Sequence, residues 1–195
     1  MRSLRNTLIL KVDPIKPDGK LIKYAARVLK DGGLVAFPTE TVYGLGVNLL
    51  NKEAIARLYK VKERPGRKPL TVHIADVSQI KALGCALDAR ARKLAKEFWP
   101  GPLTMVLRSK KGVPIGFRMP ANKVALNPNL SGKKPPTDAR AVLAGLDGKI
   151  DILLDSGHTE VGVESTVVDM TADPFVMLRQ GAIKETRIKR LLANE

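Results

Sequence analysis

The sequence predicts a sheet protein of α/β or α+β class, and three observations carry that expectation. Segments with apolar residues at helical spacing alternate with short apolar runs of strand length. Glycine, proline, asparagine and aspartate mark the joins between them. The composition, 44% hydrophobic and 27% charged over 195 residues, is that of a globular chain able to bury roughly 70% of its unfolded surface.

Asp18–Lys30 places Leu21, Ile22, Ala25, Val28 and Leu29 on one helical face, and Gly32-Gly33 ends it. Leu34-Val35-Ala36-Phe37, stopped by Pro38, reads as a buried strand. Asn51 caps a helix to about Lys62 with Ala54, Ile55, Leu58 and Tyr59 inward. Leu70–Ile74 is a strand, Asp76 caps a short helix after it, and Asp88–Phe98 is a longer helix stopped by Pro100-Gly101-Pro102. Strands follow at Leu103–Leu107 and about Ile115–Met119, then a turn-rich basic stretch from Pro120 to Pro136. Thr137-Asp138 opens a helix to about Leu146, and Ile150–Leu154 is a strand. Thr166–Asp169 and Phe175–Leu178 form a hairpin, and a basic amphipathic helix closes the chain over about 184–193. No repeat, low-complexity segment or linker interrupts residues 1–195, so a single domain is expected.

Several function classes are excluded by composition. No run approaches the ~18 apolar residues of a membrane span. Leu8-Ile9-Leu10 is far too short for the apolar region of a signal peptide. The single Cys85 excludes a disulfide framework and, with only His73 and His158, leaves no metal centre to expect; a reducing, cytoplasmic setting follows. The net charge of +15 suits anionic partners such as nucleotides, phosphates or RNA, or else serves solubility. Eight aromatic residues are too few for base-stacking platforms, so any RNA contact would be electrostatic and shape-driven.

There is no phosphate-loop signature, no zinc-protease motif and no nucleophile elbow, and Gly44-Leu45-Gly46 lacks the third glycine of a dinucleotide fingerprint. Polar clusters at strand ends stand out instead. Phe37-Pro38-Thr39-Glu40-Thr41-Val42-Tyr43-Gly44-Leu45-Gly46 sets donors and acceptors beside glycines that admit close approach. Lys62-Glu63-Arg64-Pro65-Gly66-Arg67-Lys68 holds four cations in seven residues, a polyphosphate clamp or a solvated charge run. Trp99-Pro100-Gly101-Pro102-Leu103-Thr104 is a rigid corner. Val161–Val168 reads as an apolar strand interrupted by Glu164-Ser165-Thr166, whose polar groups need partners, either an internal network or a ligand.

In this order, and with Asn129-Leu130-Ser131-Gly132, Pro136-Thr137 and Leu178-Arg179-Gln180-Gly181, these clusters closely resemble the YrdC/TsaC family of threonylcarbamoyl-AMP synthases, in its short single-domain form. The resemblance covers about residues 32–181. It implies an α+β fold in α/β-type layers, a YrdC-like twisted mixed sheet flanked by helices with a basic central cleft. It also implies a nucleotidyltransferase that joins L-threonine, bicarbonate and ATP into threonylcarbamoyl-AMP and pyrophosphate, with Mg2+ accompanying the nucleotide. The product would serve tRNA modification through downstream transfer proteins, and tRNA or double-stranded RNA is a candidate partner. By matching position, Thr41, His73, Arg118 and Ser165 would bind L-threonine. Lys62, Arg64, Lys68, Asn127, Asn129, Thr137 and Arg179 would bind ATP, with Lys62 and Arg64 acting in catalysis, and no metal-binding residue is implied. Lys68 stands where an asparagine is expected.

One region departs from the pattern. Asn127 follows Arg118 by only nine positions, in a Ser-x-Asn motif that here reads Asn127-Pro128-Asn129. The stretch at 120–129 is short by on the order of 15 residues, about one helix and one strand. An impaired or rebuilt nucleotide site is the expectation, and the alternative function is a basic RNA-binding module of the same fold.

Overall fold

The computed structural model describes residues 6–63, 69–125 and 137–193. The chain order is β1 (Leu8–Lys11), α1 (Gly19–Lys30), β2 (Val35–Phe37), β3 (Gly44–Gly46), α2 (Lys52–Val61), β4 (Thr71–His73), α3 (Ser78–Ala82) and α4 (Ala89–Phe98). It continues with β5 (Leu103–Arg108), β6 (Pro114–Arg118), α5 (Ala139–Leu146), β7 (Ile152–Asp155), β8 (Thr166–Asp169), β9 (Val176–Arg179) and α6 (Glu185–Ala193).

Capping chemistry sets the starts of four helices. Asp18, Asn51, Asp88 and Asp138 each turn a side-chain oxygen onto a free N–H of the first turn, at Lys20, Ala54, Ala91 and Ala141. Helix α3 differs from expectation. Its N-cap is Val77, which makes no side-chain cap, while Asp76 accepts from the Ser78 N–H one position too early. Beyond α1 the chain turns through Gly32 at φ +87°, a left-handed conformation that glycine adopts without strain.

The strands form two mixed sheets rather than a single one. The first has the order β1-β7-β2-β3, parallel except for the β2–β3 pair. Residue alternation gives it two buried faces. Val35, Phe37, Ile152 and Leu154 pack under Ile22, Ala25 and Leu29 of α1. Ala36, Leu45 and Leu153 pack on the other side against Ala54 and Leu58 of α2 and Val142 of α5. Gly44 is required where β3 crosses β2, because a Cβ there would lie 2.6 Å from the Phe37 ring.

The second sheet has the order β4-β6-β5-β8-β9. Leu103, Met105, Phe117 and Val168 point from one face into a core shared with Leu94, Phe98 and Ile188 of α4 and α6. The hairpin β8–β9 is antiparallel, as expected. The apolar segment Val161–Val168 is strand only from Thr166: the chain bends at Gly162 (φ +66°), and Val161 donates its N–H to the Glu40 carbonyl instead of to a ladder. Strands β1 and β3 were not anticipated from the sequence.

Candidate active site

Strand pairing assembles a row of polar side chains at one end of the second sheet. His73 ends β4 and lies directly opposite Arg118, which ends β6. Arg118 lies opposite Thr104 in β5, and Thr104 opposite Val167 in β8. Opposed residues share a face, and Ser165 lies two residues before Val167. Since Leu103 and Phe117 fill the helical side, His73, Arg118, Thr104 and Ser165 all face away from it, towards the loop after β2.

That loop supplies the partners. Arg118 is 5% exposed and donates from Nη2 to Oε1 of Glu40 at 2.7 Å and to Oγ1 of Thr41 at 2.7 Å, and from Nε to the Gly101 carbonyl at 3.3 Å. The tryptophan–proline corner therefore supports the arginine, with Gly101 donating its N–H to the Met119 carbonyl at 2.7 Å. Thr39 fixes the loop itself: its Oγ1 accepts from the Thr41 and Val42 N–H groups and donates to the Val42 carbonyl. Burial lowers the pKa of Arg118 from its ordinary value, opposed by the charge and hydrogen bond of Glu40.

His73 is buried, with its ring edge-on to Phe37 at 5.7 Å between centroids. Desolvation first, then the charges of Arg118 and Lys62, hold its pKa well below the ordinary value, so the imidazole is neutral near pH 7. Lys62 follows α2 as its C-cap and is itself buried. It also lines a cavity of about 400 Å³, together with Ala36, Tyr43, Leu45, Val142 and Lys149.

Ser165 shares a 2.9 Å hydrogen bond with Thr104 between their hydroxyls and accepts from Nη2 of Arg179 at 3.1 Å. Arg179, at the end of β9, also grips the Ser165 carbonyl through Nε and Nη2 and pairs with Glu164 at 2.6 Å. Thr137 reaches the neighbouring 159–162 turn, where its carbonyl accepts from the Thr159 N–H at 2.9 Å. Thus Thr41, His73, Arg118, Ser165 and Arg179 converge, with Lys62 close enough to His73 to affect its charge. Arg64, Lys68, Asn127 and Asn129 lie outside the described residues.

Three residues named within polar clusters of the sequence, with no role in the site assigned to them, are brought in by the structure. Glu40 pairs with Arg118 and Glu164 with Arg179, and Thr104 ties Ser165 to the row. Glu40 was visible among the donors and acceptors of the loop after β2, but its partner Arg118 is 78 residues away in sequence. Glu164 was visible as a polar group needing a partner, whereas Thr104 was visible only as part of a rigid corner. Among the described residues, no helix is long and apolar enough to cross a membrane.

Comparison with known proteins connects this arrangement to a family. The threonylcarbamoyl-AMP synthase of Pyrococcus abyssi is 42% identical over 193 residues, covering 88% of this chain and 57% of the relative. That of Bacillus subtilis is 39% identical over 203 residues, covering 92% of this chain and 59% of the relative. The chain therefore spans rather more than half the length of these relatives. The crystal structure of Pyrococcus abyssi Sua5 complexed with L-threonine superimposes with a TM-score of 0.88 at 38% identity, covering 95% of this chain and 61% of that one. A model for the Sua5/YciO/YrdC family, described as telomere recombination, matches in two parts, residues 27–128 and 127–181. Matched over more than half its length by that model, the chain belongs to the Sua5/YciO/YrdC family.

Proposed function

We propose that this chain is a threonylcarbamoyl-AMP synthase, forming threonylcarbamoyl-AMP and pyrophosphate from L-threonine, bicarbonate and ATP within a single YrdC-like domain. The observation that carries the proposal is the row of His73, Arg118, Thr104 and Ser165 on a fold that superimposes on a threonine-bound relative. With Nε and Nη2 of Arg118 holding Gly101, Glu40 and Thr41 among the described residues, its Nη1 is the donor left for a substrate carboxylate. Neutral His73, with the hydroxyls of Thr41 and Ser165, offers uncharged hydrogen-bonding groups for an amine and a hydroxyl.

Carbamate formation needs the threonine amine held beside bicarbonate. Adenylyl transfer needs the developing charge on the α-phosphate neutralised while pyrophosphate leaves. Positioning and electrostatics supply such steps without a dedicated base. Lys62 and Arg179 are the described cations suited to the phosphates, and Arg64, Lys68, Asn127, Asn129 and Thr137 complete the proposed ATP set. Mg2+ arrives as part of the nucleotide substrate. The product is passed to proteins that modify tRNA, and the proposed setting is the cytoplasm.

The shortened segment at 120–129 is part of the proposal. The family model matches in two parts that meet at residues 127 and 128, which supports a stretch missing there. A slower enzyme with a rebuilt nucleotide pocket is the expected consequence. The net charge of +15 favours a second reading, a basic RNA-binding module. Pyrophosphate release separates the two. Release that requires both L-threonine and bicarbonate supports the synthase. Its absence, together with RNA binding that weakens steeply with salt, supports the module.

A further inference from the structure

Two buried polar atoms beside Arg118 have no hydrogen-bond partner among the described residues, Oε2 of Glu40 and Nδ1 of His73. Buried polar groups in folded proteins are nearly always paired, and an unpaired carboxylate oxygen is the costliest to leave so. Glu40 is 5% exposed, and its other oxygen is already held by Arg118 at 2.7 Å. The loop carrying it is fixed on both sides, by the Thr39 hydroxyl turn and by the bond from the Val161 N–H to the Glu40 carbonyl at 2.8 Å. Oε2 is therefore held in place, not caught in passing.

The ligand group that suits this oxygen is a compact cationic donor. Around it stand Arg118, suited to an anion, the uncharged ring of His73, and the Thr41 hydroxyl. A group carrying a carboxylate and an ammonium on adjacent atoms satisfies that pattern, with the carboxylate on the guanidinium and the ammonium on the carboxylate. We propose that Oε2 of Glu40 receives the α-ammonium of the substrate and so selects an α-amino acid over the α-hydroxy acid of the same shape. The inference rests on the threonine reading above and adds a residue to it. Glu40 also keeps Arg118 aimed, so a single side chain orients both charged ends of the substrate.

The test is calorimetric binding at pH 7.5 of L-threonine and of (2S,3R)-2,3-dihydroxybutanoate, which replaces the amine with a hydroxyl. The unaltered protein is expected to bind L-threonine at least ten-fold more tightly. In Glu40→Gln, L-threonine should weaken roughly thirty-fold more than the hydroxy acid does, the loss of one charge-assisted hydrogen bond beyond what a less firmly aimed Arg118 costs both ligands. An equal loss for both ligands would show a merely structural role and overturn the proposal. If Glu40→Gln does not fold, the unaltered protein still decides: equal affinity for the two ligands overturns the proposal while leaving the threonine reading standing. Failure of the unaltered protein to bind either ligand overturns both.

Discussion

Replacing Arg118 with methionine removes a charge of similar reach from a site where it is 5% exposed. Three hydrogen bonds disappear, to Glu40, Thr41 and the Gly101 carbonyl, and the Glu40 carboxylate, equally buried, loses its counter-charge. Stranding one member of a buried pair costs about 3–5 kcal/mol, most of it the desolvation of the charge left behind. With a urea dependence of about 2 kcal/mol per M, the midpoint should fall by roughly 2 M. Glu40→Met should cost a similar amount. The double variant Arg118→Met/Glu40→Met should recover most of the loss, because it strands no charge, giving a coupling of at least about 2 kcal/mol. Losses that simply add would show the two side chains to be independent and would refute this account of the pair. Recovery with loss of threonine binding would show that the ion pair is kept for function rather than for stability.

Four further outcomes follow from the geometry. Thr166 is fully buried, with its hydroxyl bonded to the Ile183 carbonyl and to the Gly181 and Ile183 N–H groups, so Thr166→Val should cost about 3 kcal/mol in chemical denaturation, and a loss under 1 would contradict the network. A Cβ at Gly181 would stand 2.2 Å from the Glu164 carbonyl oxygen, so Gly181→Ala should lower Tm by several degrees, and an unchanged Tm would refute the clash. His73 is held neutral, so the unfolded state binds more protons below its ordinary value of 6.5. Stability should therefore fall on acidification from there, by up to about 1.4 kcal/mol per pH unit, and be level above about pH 7.5. His73→Gln should flatten that slope, and an unaltered slope would place the dependence elsewhere. Asp138→Ala removes the cap at Ala141 and should cost about 1 kcal/mol, read by urea unfolding; no loss would show the cap to be idle.

Much of this was legible in the sequence, and the rest was not, for identifiable physical reasons. Helix starts at Asn51, Asp88 and Asp138 are local chemistry, since a side-chain oxygen within three residues satisfies a free N–H. Strand β3 was missed because three residues, two of them glycine, carry no alternation, and its need for glycine lies in the Phe37 ring of another strand. Strand β1 escaped because Leu8 and Ile9 are exposed and its pairing partner, β7, is over 140 residues away. The candidate site was legible through the resemblance of the polar clusters to a known family, and matching position is how Thr41, His73, Arg118, Ser165 and Arg179 were singled out. Their convergence was not, because it depends on the registers of β4, β6, β5 and β8, set by non-local pairing. Arg118 would pass for an exposed strand end, and only the loop carrying Glu40 and Thr41 buries it.

The most direct test of the central claim is mass spectrometry of the products formed from ATP, Mg2+, L-threonine and bicarbonate, with Arg118→Ala run alongside. The account predicts a threonylcarbamoyl adenylate that requires both L-threonine and bicarbonate and disappears in the variant. A folded, monodisperse wild-type protein that yields no adenylate, under conditions where a known synthase does, would contradict it.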